Sequence, residues 1–158
     1  MSKSVAGFFV IMMALVARQD NAPPEIPVAQ AYLAAYQAQD FDALAALYAE
    51  DAVFIDPTSF DVGNITQPID WQGRDAILSG LRSWNVARLE YAVDRNYQAS
   101  GRTVFDGAVT AVYALEDGDQ HYRFPIITIV TVQDGHVVEH RDYTDYAGMQ
   151  RIAPAGDH

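Results

Sequence analysis

At 158 residues, half of them hydrophobic, the chain has the size of one domain with a core of its own. Its formal net charge of -11 comes from acids spread along the whole length, so no basic stripe exists to neutralise phosphates; this argues against a nucleic-acid partner and favours a neutral or cationic small ligand. The absence of cysteine removes disulfides, thiolate nucleophiles and thiolate metal sites.

The first 25 residues, MSKSVAGFFVIMMALVARQDNAPPE, carry Lys3 and then an uncharged apolar run from Val5 to Ala17. Residues 1–20 have the shape of a secretory signal peptide, which would export the protein; the other reading is a retained apolar helix covering the domain of a cytoplasmic protein. The run is too short for a stable membrane span, which takes about 20 apolar residues. The remaining chain reads as a single domain over 25–150 and a tail over 151–158.

Three prolines in NAPPEIP stop a helix from running backwards, and a helix is expected from Val28, with Ala31, Tyr32, Ala35 and Tyr36 on one face. Asp40 caps a second helix carrying Leu44, Leu47 and Tyr48. AVFIDP is a short strand halted by Pro57, and residues 58–72 read as a long loop that lids a pocket. A third helix runs from about Arg74 to Trp84 on a stripe of Ile77, Leu78, Leu81 and Trp84.

From Leu89 the period changes to two. Leu89, Tyr91 and Val93 alternate with polar residues, and further strands cover Arg102 to Leu115, Tyr122 to Val132 and His136 to Tyr143, with turns at EDGD and QDG. Asp106-Gly107 interrupts the second of these where no turn is wanted and reads as a bulge. Helices first and long antiparallel strands after make an α+β layout.

The closing strand, EHRDYTDY, is the most crowded with ionisable groups. On one face lie His140, Asp142, Thr144 and Tyr146; on the other lie Glu139, Arg141, Tyr143 and Asp145. A carboxylate two residues from an imidazole on one strand face can orient the ring as acid or base, or the two can form a solvated surface pair. Asp56, at the end of the hydrophobic AVFI strand, is either a base facing a pocket or the start of an Asp-Pro turn. Tyr32 is either a hydrogen-bond donor to substrate or a core tyrosine, and Tyr36, one turn later, has the same two roles open to it. Asp106 carries little weight as a third carboxylate. Trp84 is expected in the core or at the rim, and His121 and His136, beside turns, are expected in solvent. No close-spaced ligand motif supports a metal site, and no glycine loop or serine elbow suggests a cofactor or nucleophile.

AYLAAYQAQDFDALAALYAEDAVFIDPT, WQGRDAI and VQDGHVVEHRDYTDY together resemble the SnoaL-like, or nuclear-transport-factor-2-like, superfamily over about residues 28–146. The resemblance implies a cone in which three N-terminal helices pack on a strongly curved antiparallel, cystatin-like sheet around an apolar pocket. It also implies a homodimer and a small hydrophobic ligand, with no cofactor and no metal. The first half resembles ketosteroid isomerase, whose oxyanion tyrosine and general-base aspartate fall on Tyr32 and Asp56, and whose second oxyanion donor falls on Thr128. The last strand resembles limonene epoxide hydrolase through HRDYTD, which gives Asp142 an acid's role. The arginine and second aspartate of that enzyme fall on Ala108 and Thr110, and its water-holding tyrosine and asparagine on Phe54 and Asp56.

The function these features imply is cofactor-free proton transfer of the isomerase, cyclase or dehydratase type. Asp56 would be the base, Tyr32 an oxyanion donor and the His140/Asp142 pair the acid or water-orienting element, with Tyr36, Phe54, Trp71, Thr110 and Thr128 lining the pocket. Epoxide hydrolysis by Asp142 and His140, or a non-catalytic binding domain, are the alternatives.

Overall fold

A computed structural model describes residues 25–59 and 67–153. The apolar segment at the N-terminus and the middle of the expected lid lie outside the described residues. Helix α1 (Glu25–Ala38) starts three residues earlier than its periodicity suggests. Pro27 falls in its first turn, where a missing N–H breaks no helical bond, and Glu25 stands at the positive end of the dipole. Gln39 closes it with a φ of 54°, and Asp40 caps α2 (Phe41–Leu47) by accepting from Ala43 N at 3.0 Å. Tyr48, read as helical, is instead the first residue of strand β1 (Tyr48–Asp56).

Part of the expected loop is a strand: β2 (Ile69–Gln72) lies antiparallel to the end of β1. Gly73 turns the chain with a φ of 87° into α3 (Arg74–Ser83), which buries Ile77, Leu78 and Leu81. Long strands follow: β3 (Arg88–Ala99), β4 (Arg102–Tyr113), β5 (Gln120–Gln133) and β6 (His136–Thr144), then a short β7 (Gln150–Ile152). The β5–β6 hairpin turns on Asp134 and Gly135, both at positive φ, the geometry that matches the twist of the flanking strands.

The strand order is β2-β1-β6-β5-β4-β3, with β7 added to β5, so the sheet reaches into the segment read as a tail. β1 and β6 run parallel, which makes the curved sheet mixed rather than wholly antiparallel. The class of the fold is as expected: three helices against one curved sheet. Helix α1 lies across the concave face and touches β3, β4, β5 and β6, so Tyr32 and Tyr36 enter the space between helix and sheet.

The bulge sits opposite its expected place. The register of β3 and β4 shifts between Val93 and Arg95, so the extra residue is Asp94 on β3, facing Asp106-Gly107. A Cβ at Gly107 would collide with the Ala92 carbonyl oxygen, and the glycine is the price of that close approach. Asp106 turns outward and pairs with Arg95 at 2.8 Å.

Candidate active site

The concave face of the sheet and α1 enclose a cavity of about 200 Å³. Tyr36 of α1, Asp56 at the end of β1, Tyr91 of β3, Val109 and Ala111 of β4, Ile126 of β5 and Asp142 and Thr144 of β6 line it, with Trp84 and Tyr146. Alternation along β6 sends His140, Asp142 and Thr144 inward and leaves Arg141 paired with Glu139 outside, as the two-faced reading of that strand anticipates.

Asp56 and Asp142 share this cavity and are both buried, at 2% and 3% exposure. Asp56 is saturated with donors. Its Oδ1 accepts from Thr58 N at 2.8 Å and from Thr58 Oγ1 at 2.5 Å, and its Oδ2 from Tyr146 OH at 2.8 Å and Thr144 Oγ1 at 3.2 Å. The first two bonds are the Asx turn an Asp-Pro start favours, and Thr144 N donating to Thr58 Oγ1 at 2.8 Å stitches that turn to β6.

Asp142 is held from one side only. Its Oδ1 accepts from Thr128 Oγ1 at 2.5 Å, and Tyr91 OH meets that same Thr128 oxygen at 3.0 Å. His140 Nε2 also stands 2.9 Å from Oδ1, within ion-pair reach but off the angle of a hydrogen bond. On its other side the ring takes Tyr32 OH at Nδ1, 2.5 Å away, and Tyr32 OH in turn meets Tyr48 OH at 2.5 Å. With the proton on Nε2, Tyr48 OH donates to Tyr32 OH, and Tyr32 OH donates to His140 Nδ1. Oδ2 accepts nothing from the described residues.

Burial raises the hydroxyl pKa values of Tyr36 and Tyr91, and the Asp142 carboxylate pushes them up further. Tyr32 is raised by burial and then by Tyr48, and Tyr146 by burial and then by Asp56. All four are therefore neutral donors at ordinary pH. Among them only Tyr36 keeps its hydroxyl free of any hydrogen bond to the described residues while lining the cavity.

The residues singled out from the sequence fall into two groups, with one residue apart from both. Asp56, Asp142 and Tyr36 face the cavity. Tyr32, His140, Thr128 and Phe54 are fully buried behind it: Phe54 stacks on the His140 ring at 4.2 Å, and Tyr32 spends its hydroxyl on His140 and Tyr48. Trp71 packs on Phe54 and over Gly80, behind Trp84. Thr110 belongs to neither group. It shares the outer face of β4 with Ala108 and Val112, while Val109 and Ala111 look inward.

His121, expected in solvent, is buried on that outer face beside Val112 and paired with Ile152 of β7. Tyr91, Tyr146 and Thr58 were not singled out as site residues. The period-two spacing already set Tyr146 on the face of His140 and Asp142, and Tyr91 on the apolar face of β3.

A curved mixed sheet wrapped on α1 is the SnoaL-like, ketosteroid-isomerase-like fold. The family model for the SnoaL-like domain matches residues 29–140, and the chain belongs to that family. Among solved structures it is similar to a provisionally named SnoaL-like polyketide cyclase from Shewanella putrefaciens CN-32, at 21% identity and a TM-score of 0.67 over 80% of this chain and 93% of that one. It is also similar to the Delta 5-3-ketosteroid isomerase from Mycobacterium sp., at 16% identity and a TM-score of 0.65 over 82% and 98%. An LEH-like epoxide hydrolase from M. tuberculosis follows at 21% identity and 0.58 over 78% and 84%. No curated protein matches this chain in sequence.

Proposed function

We propose that this protein catalyses cofactor-free proton transfer beside a carbonyl group of a small, largely apolar molecule bound in the cavity. Asp142 is the base: its Oδ2 takes the proton from carbon, while Oδ1 stays anchored to Thr128 and faced by His140. Tyr36 donates to the carbonyl oxygen as it gains enolate charge. The proton then returns from Asp142 to another position of the same molecule, so isomerisation and intramolecular cyclisation are both open to the site.

The observation that carries this reading is the free Oδ2 of Asp142, since the other cavity carboxylate has both oxygens taken by donors. The base is therefore Asp142 rather than Asp56, and the oxyanion donor Tyr36 rather than Tyr32. Hydrolysis of an epoxide finds less support, because no arginine is among the described lining residues and positions 108 and 110 lie on the outer face.

Exchange of carbon-bound protons for solvent deuterium, followed by NMR on a panel of small ketones and 1,3-dicarbonyls, tests the proposal. Asp142→Asn is expected to slow exchange by about 10² to 10⁴, the range usual for a general base. Exchange at the unaltered rate in that variant would sink the assignment. Incorporation of labelled oxygen from water into product would point to hydrolysis instead.

A further inference from the structure

Among the described residues, the cavity is charged in one sense only. Asp56 and Asp142 face it, and none of its described lining residues is lysine, arginine or histidine. The arginines nearby are engaged outside it: Arg88 with Glu90 and Asp119, Arg95 with Asp106, Arg141 with Glu139. His140 lies behind the wall, at 0% exposure, with Nδ1 committed to Tyr32. A carboxylate oxygen in an apolar, water-poor space is unfavourable unless a donor or a counter-charge meets it. Four donors meet Asp56, but nothing described meets Asp142 Oδ2.

The rest of the wall suits a cation for an independent reason. Six aromatic side chains line the cavity: Tyr36, Trp84, Tyr91, Tyr113, Phe124 and Tyr146. Two pairs of them are inclined rather than stacked, Tyr36 against Tyr91 at 55° and Phe124 against Tyr146 at 73°, with centroids 6.2 Å and 5.7 Å apart. The π-face of each ring is the electron-rich side that attracts ammonium groups. Burial keeps Tyr36, Tyr91 and Tyr146 neutral, so they act as rings with hydroxyl donors and not as further anions.

We infer that the cavity selects a small organic cation, an amine or quaternary ammonium compound with an apolar body, its charged nitrogen held against the aromatic wall in the field of the two carboxylates. The inference rests on Asp142 and Tyr36 as the working face of the site and adds the class of molecule that occupies it. It also accounts for why the free oxygen of Asp142 is not matched by a basic residue among the described residues: the ligand brings the positive charge. A protein of net charge -11 further draws such ligands toward its surface.

Choline and its uncharged isostere 3,3-dimethyl-1-butanol have nearly the same shape and separate charge from size. Calorimetric titration of the full chain with each is expected to give an affinity about tenfold or more in favour of choline, a ratio that shrinks severalfold when both probes are titrated against Trp84→Leu and against Asp142→Asn. Equal affinities, tighter binding of the alcohol, or no binding of choline at millimolar concentration would overturn the inference. If either variant fails to fold, the comparison of the two probes on the unaltered protein decides alone. Preference for the alcohol together with Asp142-dependent deuterium exchange would remove the cation and leave the proton-transfer reading intact. Preference for choline in a protein that exchanges no ketone would support the cation and remove the reaction.

Discussion

The mouth of β1 and the middle of β6 each place a carboxylate in the same cavity, yet Asp56 accepts four hydrogen bonds there and Asp142 is approached only at Oδ1. Donors around Asp56 come from its own turn and from the end of β6 and the residues just after it, so its carboxylate ties Thr58, Thr144 and Tyr146 together and closes one end of the sheet. The donor to Asp142 comes from a neighbouring strand, and a ring backed by two tyrosines faces the same oxygen, both on one side. The number of acids in a cavity is thus a poor guide to which one works; what matters is the acceptor capacity left after the fold has used its share.

Substitution of Asp142 is the most severe way to sharpen this contrast, and Tyr36 comes next. Tyr36→Phe removes a hydroxyl that bonds to none of the described residues, so unfolding free energy should stay within about 0.5 kcal/mol while turnover falls by about 10² to 10³, the scale of one lost oxyanion donor. Tyr32→Phe should behave the other way round. It leaves His140 Nδ1 and Tyr48 OH without their partner in a fully buried site, at a cost of about 1 to 3 kcal/mol in stability, with a smaller loss of rate. Urea denaturation beside turnover separates the two, and equal effects in both variants would erase the distinction between cavity wall and buried support.

Asp56→Asn breaks the contrast from its other side. An amide in place of the carboxylate turns one oxygen into a donor facing donors, either Thr58 or the Thr144/Tyr146 pair. The expected result is a loss of about 1 to 3 kcal/mol in unfolding free energy with turnover retained within tenfold. A fall in turnover as deep as that of Asp142→Asn, with stability unchanged, would return the base to Asp56.

The fold was legible because its signals are local: the cap at Asp40, the stripe of α3 and the turn at Asp134-Gly135 each state their own geometry. The inward face of β6 was legible too, since only one face of EHRDYTDY alternates His, Asp, Thr and Tyr. The phase of β4 was not. Val109 and Ala111 face the cavity and Ala108, Thr110 and Val112 face away, and two nearly apolar faces give a period of two with nothing to say which is inside. Nor could the sequence tell Tyr32 from Tyr36. Four residues apart, they share a helix face, and only the position of His140, 108 residues later in the chain, decides which hydroxyl is consumed. The pairing of β1 with β6 that brings Asp56 and Asp142 into one cavity is likewise a long-range, parallel contact with no local signature.

The buried tyrosines give the mildest test of the same division between wall and support, through alkaline pH. Tyr32, Tyr36 and Tyr91 hold their protons more tightly in the folded protein than the ordinary value of 10.0, chiefly because burial opposes the phenolate. Below that pH both folded and unfolded chains keep these protons, and stability does not depend on them. As pH rises past about 10 the unfolded chain releases them first, so unfolding becomes easier by about 1.4 kcal/mol per pH unit for each such tyrosine. Tyr36→Phe should lower that slope by one tyrosine's worth without changing stability at neutral pH. Tyr32→Phe should lower it equally, but from a stability already reduced at pH 7, because its hydroxyl supports the fold and that of Tyr36 does not. Urea unfolding at a series of pH values from 8 to 11 reads both quantities, and a slope unchanged in Tyr36→Phe would mean that this hydroxyl is not buried against the cavity wall.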